Sequence, residues 1–350
     1  MSSYVGARTV AGYRHFAYLL RKDRNQPKGE RTMEYRRVGK SGLRISEISL
    51  GAWLTYGSSV DGNAAGEIVR AAVEEGVNFI DIADIYAKGE AEKVVGAAIR
   101  DFKRSDLVIS SKVFWPMSDN VNDRGLSRKH ITESVEKSLR RIGTDYLDIY
   151  FCHRFDPETP VEETVRAMSD LVQQGKVLYW GTSVWEAEQI ERAVADAREW
   201  KGYLPAVEQP RYNMLDRHIE EKIMPTCARH GMGLTVWSPL AQGLLTGKYN
   251  DGVPKGTRGG ETMWLAGDMG PQNITRVRKL GELADSLGMA TGQLALAWIL
   301  RRPEISCAIT GATRVSQLKE NLAASGMTLD AETQTAIDGI LGSDESRQRP

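Results

Sequence analysis

Asn78-Phe-Ile-Asp-Ile-Ala-Asp-Ile-Tyr86 is the stretch that decides the fold. It is apolar, rich in β-branched residues and bounded by Gly76 and Gly89. It therefore reads as a short strand buried on both faces, of the kind a parallel sheet places between layers of helix. Asp81 sits inside this strand, and Tyr86 lies on the turn that leaves it. A carboxylate in an apolar strand is costly to desolvate unless a cation meets it. Two later strands offer partners: Lys112 closes Leu107-Val-Ile-Ser-Ser-Lys112, and His153 ends Leu147-Asp-Ile-Tyr-Phe-Cys-His153. Asp84 is a rival carboxylate, read as lying further out toward the loop, where solvation is cheap.

Working outward, the chain alternates strands and helices. A small hairpin is expected at 35–45 around Gly39-Lys-Ser-Gly42, followed by a strand at 48–50. Strand–helix pairs follow at 78–82 and 90–102, 107–113 and 127–142, 147–152 and 160–174, 177–182 and 186–199, and 206–209 and 216–230. A helix at 63–75 joins the first two strands and stops at Gly76. Ser127 is the expected N-cap of its helix. After a seventh strand at 234–238 come a long Gly-rich loop and helices at 273–287 and 291–301. The last strand, 306–310, is followed by helices at 314–324 and 331–341. Eight strands, each answered by a helix, specify an α/β fold: a closed (β/α)8 TIM barrel with an N-terminal β-hairpin and a long loop after the seventh strand. No Gly-rich turn follows the first strand, which argues against an open dinucleotide-binding sheet.

Composition removes other classes. Lys plus Arg and Asp plus Glu are 46 each, so the formal net charge is zero, and non-specific nucleic-acid binding is disfavoured. No apolar run approaches the ~20 residues that span a bilayer, so no membrane insertion is expected. Cys152, Cys227 and Cys307 are isolated, which suits a reducing compartment. Cys152 and His153 point to opposite faces of one strand, so no metal site is expected. Residues 1–32 carry Arg8, Arg14, Arg21, Lys22, Arg24, Lys28 and Arg31 against Asp23 and Glu30. They read as a basic tail outside the fold, with a transit peptide as the weaker alternative. The barrel domain is expected over 33–341, with a C-terminal tail at 342–350.

Active sites in such barrels lie at the carboxyl ends of the strands, where Asp81, Tyr86, Lys112 and His153 all fall. A free phenol has a pKa of about 10. An adjacent ammonium is expected to lower it toward the working range, with Asp81 holding Lys112 charged. His153 can orient a carbonyl oxygen by a hydrogen bond. No side chain supplies hydride, so the set implies a nicotinamide cofactor.

These motifs resemble the aldo-keto reductase superfamily, in the branch containing the potassium-channel beta subunits. The resemblance rests on Asp81-x-Ala83-x-x-Tyr86, Ser111-Lys112, Cys152-His153-Arg154, Gly51-Ala-Trp53, Gly181-Thr-Ser183, Glu208-Gln209 and Trp237-Ser-Pro-Leu240. Gly243, Gly247-Lys-Tyr249, Gly311-Ala-Thr313, Gln317 and Glu320-Asn321 extend it over residues 33–341. His153 stands where channel subunits often carry Asn, and Val184 where that branch carries Arg or Glu.

The resemblance implies a cytoplasmic NADPH-dependent reductase of aldehydes and some ketones, with Tyr86 as general acid. Asp81 and Lys112 would tune it, and His153 would orient the carbonyl. It further implies Ser183 and Gln209 on the carboxamide, with Trp53, Asp81 and Trp237 around the nicotinamide. Ser238, Leu240, Gly243, Lys248 and Arg258 would meet the phosphates, and Gly311, Thr313, Gln317, Glu320 and Asn321 the adenosine end. Trp53, Tyr56, Tyr86, Trp115 and His153 would line the substrate pocket. The resemblance to this branch also implies a tetramer or octamer. The alternative is a beta-subunit-like module that binds NADPH and regulates a partner protein.

Overall fold

Phe79 and Ile80 face opposite ways, and that alternation builds the whole barrel. Phe79 joins a small buried cluster with Val38, Ile45, Val108, Ile149, Phe151, Val207, Cys307 and Ile309. Ile80 joins the larger cluster formed with the surrounding helices. Because side chains alternate along a strand, every second residue on from the first group points into the lumen. Asp81, Ser110, Lys112, His153 and Gln209 are those residues. The computed structural model describes residues 33–53, 62–252 and 268–342. The expected tail at 1–32 and all but Gly342 of the one expected at 342–350, together with Tyr56 and Arg258, lie outside the described residues.

The barrel wall is made of β3 (Ile48–Gly51), β4 (Phe79–Asp81), β5 (Val108–Val113), β6 (Leu147–Cys152), β7 (Val177–Thr182), β8 (Val207–Glu208), β9 (Gly233–Val236) and β10 (Ile305–Thr310). They close in sequence order, β10 pairing with both β9 and β3, and every neighbouring pair is parallel. An antiparallel hairpin, β1 (Tyr35–Arg37) with β2 (Arg44–Ser46), precedes the barrel and sends Val38 and Ile45 into the lumen cluster. Gly39 makes this possible. Its φ is +54°, and a Cβ there would lie 2.2 Å from the Gly231 carbonyl oxygen.

Between the strands run α1 (Gly62–Glu74), α2 (Glu90–Ile99), α3 (Arg128–Ile142), α4 (Val161–Gln173), α5 (Ala187–Glu199) and α6 (Ile223–His230). The chain closes with α7 (Pro271–Ser286), α8 (Thr291–Leu300), α9 (Val315–Leu322) and α10 (Ala331–Leu341). Ser127 caps α3 as expected, accepting from the His130 amide at 3.2 Å. The helix expected over 216–230 is instead a 3-10 turn at His218–Glu220 followed by α6. Pro225 accounts for the break: it has no amide proton, and its ring meets the carbonyl four residues back, so one helix cannot run through it from 216.

Candidate active site

Register sets the site. On adjoining strands Asp81 is level with Ser110, and Lys112 is level with Phe151. Lys112 is fully buried and spends its three ammonium protons on three acceptors. These are Asp81 Oδ2 at 2.6 Å, the Ile82 carbonyl at 2.9 Å and the Tyr86 hydroxyl oxygen at 3.2 Å. Asp81 Oδ1 accepts from Ser110 Oγ at 2.7 Å and from Gln209 Nε2 at 3.0 Å. The buried ion pair is therefore hydrogen-bonded on both partners, the condition under which such a pair is tolerated in an interior.

His153 is buried beside Asp81, Tyr86 and Lys112 and completes a tetrad with them, its ring 5.8 Å from that of Tyr86 and 6.4 Å from that of Trp115. Burial, reinforced by the Lys112 and Arg154 cations, holds its pKa well below the usual histidine range, so the imidazole is neutral. Burial disfavours the charged form of Lys112, but the Asp81 carboxylate and Tyr86 outweigh it, and the pKa stays above the ordinary lysine value. Tyr86 corrects an expectation. Burial of its phenol outweighs the ammonium, and its pKa is raised, not lowered. The Lys112 charge offsets only part of the desolvation, and Tyr86 keeps its proton at neutral pH.

Asp84 is a second correction. It has no exposed surface at all, because α2 and α3 cover the turn that the sequence places at the barrel mouth. Burial and the neighbouring Glu92 carboxylate push its pKa up to about 7.

The remaining predicted residues fall into groups along the strand ends. Ser183 Oγ donates to the Gln209 carbonyl at 2.9 Å, and Gln209 in turn reaches Asp81, so both join the tetrad. The turn after Ser183 is left-handed at Val184, φ +57°. The buried Glu208 carboxylate supports it, accepting from the Trp185 amide at 3.3 Å and from Thr182 Oγ1 at 2.5 Å. Trp53 meets Trp237 edge-on at 6.2 Å. Trp115 stands at the rim with Arg154 5.6 Å from its ring.

After β9, Ser238, Ala241, Gln242 and Gly243 all have positive φ, from 45° to 97°. Consecutive left-handed residues of this kind form the backbone concavities that take anions. A Cβ at Gly243 would lie 2.6 Å from Lys248 Nζ, so the lysine ammonium is already at this bend, which begins just past Leu240. On the last strand–helix unit, past Gly311, Gln317 Oε1 accepts from the Thr313 amide at 3.0 Å. Asn321 there is buried with its Nδ2 unpaired, while Glu320 is exposed. An anion cradle with a cation and an orphaned buried amide donor are groups that a dinucleotide would satisfy. Sequence reading missed Ser110, although its spacing of two from Lys112 puts it on the same strand face.

A profile of the aldo/keto reductase family matches residues 47–341. A probable voltage-gated potassium channel subunit beta of Arabidopsis thaliana is 48% identical over 301 residues, covering 83% of this chain and 91% of the relative. A probable channel subunit beta of Oryza sativa subsp. japonica is 43% identical over 324 residues, covering 90% of this chain and 98% of the relative. With the barrel closed around an Asp-Tyr-Lys-His set and the profile spanning most of its length, the chain belongs to the aldo/keto reductase family.

Proposed function

We propose that this protein reduces aldehydes and some ketones to alcohols with NADPH, Tyr86 giving the proton to the carbonyl oxygen. The observation that carries this reading is the saturated Lys112 ammonium. Since the Tyr86 oxygen already accepts from Lys112, the phenol's own proton is free to be donated elsewhere. As that proton leaves, the ammonium stabilises the phenolate, and Asp81 with its two neutral donors keeps the ammonium in place. Neutral His153 offers a ring nitrogen that orients the substrate oxygen. The nicotinamide, when bound, supplies the hydride.

In this reading Ser183, Gln209 and Asp81 hold the carboxamide end, flanked by Trp53 and Trp237. Ser238, Leu240, Gly243 and Lys248 meet the pyrophosphate. Lys248 and Arg258 account for choosing NADPH over NADH. Gly311, Thr313, Gln317, Glu320 and Asn321 meet the adenosine. Trp53, Tyr56 and Trp115 give the pocket aromatic walls that suit small or aromatic carbonyls, and the enzyme works in the cytoplasm as a tetramer or octamer. Tyr86→Phe keeps the volume and removes the proton. Reduction is expected to fall by ~10²–10⁴-fold, while the NADPH dissociation constant stays near wild type. A variant that kept about a tenth of wild-type turnover would show that Tyr86 is not the acid.

A second reading draws on the channel-subunit names of the two relatives: a module that holds NADPH and regulates a partner protein. Steady-state turnover on a panel of aldehydes separates the two. Sustained multiple turnover favours the enzyme, and single-turnover oxidation of bound NADPH favours the sensor.

A further inference from the structure

Asp84 occupies a buried polar chamber on the helix side of the barrel wall, outside the lumen. Its Oδ2 accepts from Ser134 Oγ of α3 at 2.9 Å, and its Oδ1 has no partner. The groups facing it come from four elements. Glu92 of α2 is fully buried, accepts from Ser111 Oγ at 2.6 Å and pairs with Arg141. Arg141 belongs, with Ser134, to α3, and also reaches Ser138 Oγ at 3.4 Å. Tyr150 of β6 places a buried hydroxyl near Ser134, and its ionisation is opposed by burial and then by the Asp84 charge. The fourth element, β5, contributes the Lys112 carbonyl, which accepts from the Asp84 amide at 3.4 Å. One cation thus serves two buried carboxylates, and one carboxylate oxygen is left over.

This chamber adjoins the turn that carries Tyr86. The Tyr86 amide donates to the Ala83 carbonyl at 3.2 Å, one residue before Asp84. Beyond Tyr86 the backbone is left-handed at Ala87, Lys88 and Gly89. A Cβ at Gly89 would lie 2.7 Å from Arg141 Cδ and Nε, so Arg141 packs directly against that backbone. Helix α3 therefore grips the turn on both sides of the tyrosine, through Ser134 before it and Arg141 after it.

We propose that Asp84 is a positioning residue whose protonation state sets the seat of Tyr86. Neutral Asp84 keeps the turn docked on α3. Ionised Asp84 puts a second negative charge beside Glu92 that Arg141 alone cannot balance, and the docking loosens. A titration close to neutrality is what burial and Glu92 together produce at this carboxyl. The effect on turnover rests on the reading of Tyr86 as the acid; the effect on its position does not.

The test uses full-length protein labelled with ¹³C at tyrosine Cζ, with Tyr86→Phe identifying the Tyr86 resonance, titrated from pH 5.5 to 8.5. In wild type the Tyr86 signal is expected to shift with an inflection near neutrality, and in Asp84→Asn the inflection is expected to vanish. Ser134→Ala removes a contact that favours the ionised form, so its inflection moves to higher pH; this variant also serves if Asp84→Asn fails to fold. A flat wild-type curve, or an inflection that survives in Asp84→Asn, overturns the proposal. Aldehyde turnover over the same range is expected to decline through the same ionisation in wild type and to lose that limb in Asp84→Asn. If the resonance titrates as expected but no carbonyl is turned over, the reductase reading fails and the positioning role stands.

Discussion

Asp81 and Asp84 are three residues apart, and both are buried, yet their surroundings differ in kind. Asp81 faces the lumen and meets a lysine, a serine and a glutamine, so both of its oxygens are occupied. Asp84 faces the helices, where a serine hydroxyl and the Ile85 amide are its nearest donors. A second carboxylate stands beside it, Arg141 is shared with that carboxylate, and Oδ1 is left unpaired. Burial alone therefore does not tell what a carboxylate is for. The donors around it do: a fully satisfied carboxylate anchors its neighbours, and a poorly satisfied one becomes a group that titrates.

Asp81→Asn is expected to have the largest effect. It leaves Lys112 charged, buried and without its counter-ion, and breaking such a pair costs about 3–5 kcal/mol. Chemical denaturation is expected to show that loss, and turnover should fall by ~10²–10⁴-fold. A variant with near wild-type stability would mean that Lys112 is not held as an ammonium.

Asp84→Asn is expected to act in the opposite direction. The folded pKa of Asp84, about 7, lies above its ordinary value of 3.8, so the folded state holds the proton more tightly than the unfolded chain. Stability from this group is intact below the ordinary carboxylate range and declines as pH rises toward 7. The asparagine variant lacks that decline. Its stability relative to wild type should improve by about 2–3 kcal/mol between pH 5 and pH 8, read from denaturant midpoints at each pH. A difference that is constant with pH would remove the contrast between the two residues.

Ser110→Ala sharpens the Asp81 side with a smaller effect. It deletes one of two donors to Oδ1 and should cost about 1.5–3 kcal/mol, the range for hydrogen bonds to charged groups. If stability is unchanged, Gln209 alone is sufficient to seat the carboxylate.

Much of this was legible in the residue order. The strand at 78–82, with its alternation of lumen-facing and helix-facing side chains, already places Asp81 where Lys112 can reach it, and the two later strands supply Lys112 and His153. What could not be read was what closes over the strand ends. In the sequence Asp84 reads as a solvated loop carboxylate, because nothing local covers it. Its cover comes from Ser134, fifty positions downstream, and from the Glu92–Arg141 pair, itself a long-range contact. The direction of the Tyr86 shift escaped for the same reason. It depends on how much water the folded site excludes, and a list of neighbouring charges does not contain that. Pro225 is the opposite case: its effect on the 216–230 segment is purely local.

If aldehydes are reduced here as proposed, the saturation of Lys112 has a chemical consequence. A primary amine beside a reactive carbonyl ordinarily condenses with it to an imine, and the nitrogen lone pair makes the attack. Lys112 sits 3.2 Å from the hydroxyl oxygen of Tyr86, next to where a carbonyl would be protonated. Its lone pair is occupied by a proton that its raised pKa retains, and each of its three N–H bonds already has an acceptor. Its side chain also exposes no surface for attack. The arrangement that holds Lys112 for its neighbour would thus also keep it inert toward an aldehyde, with no dead-end adduct at the site.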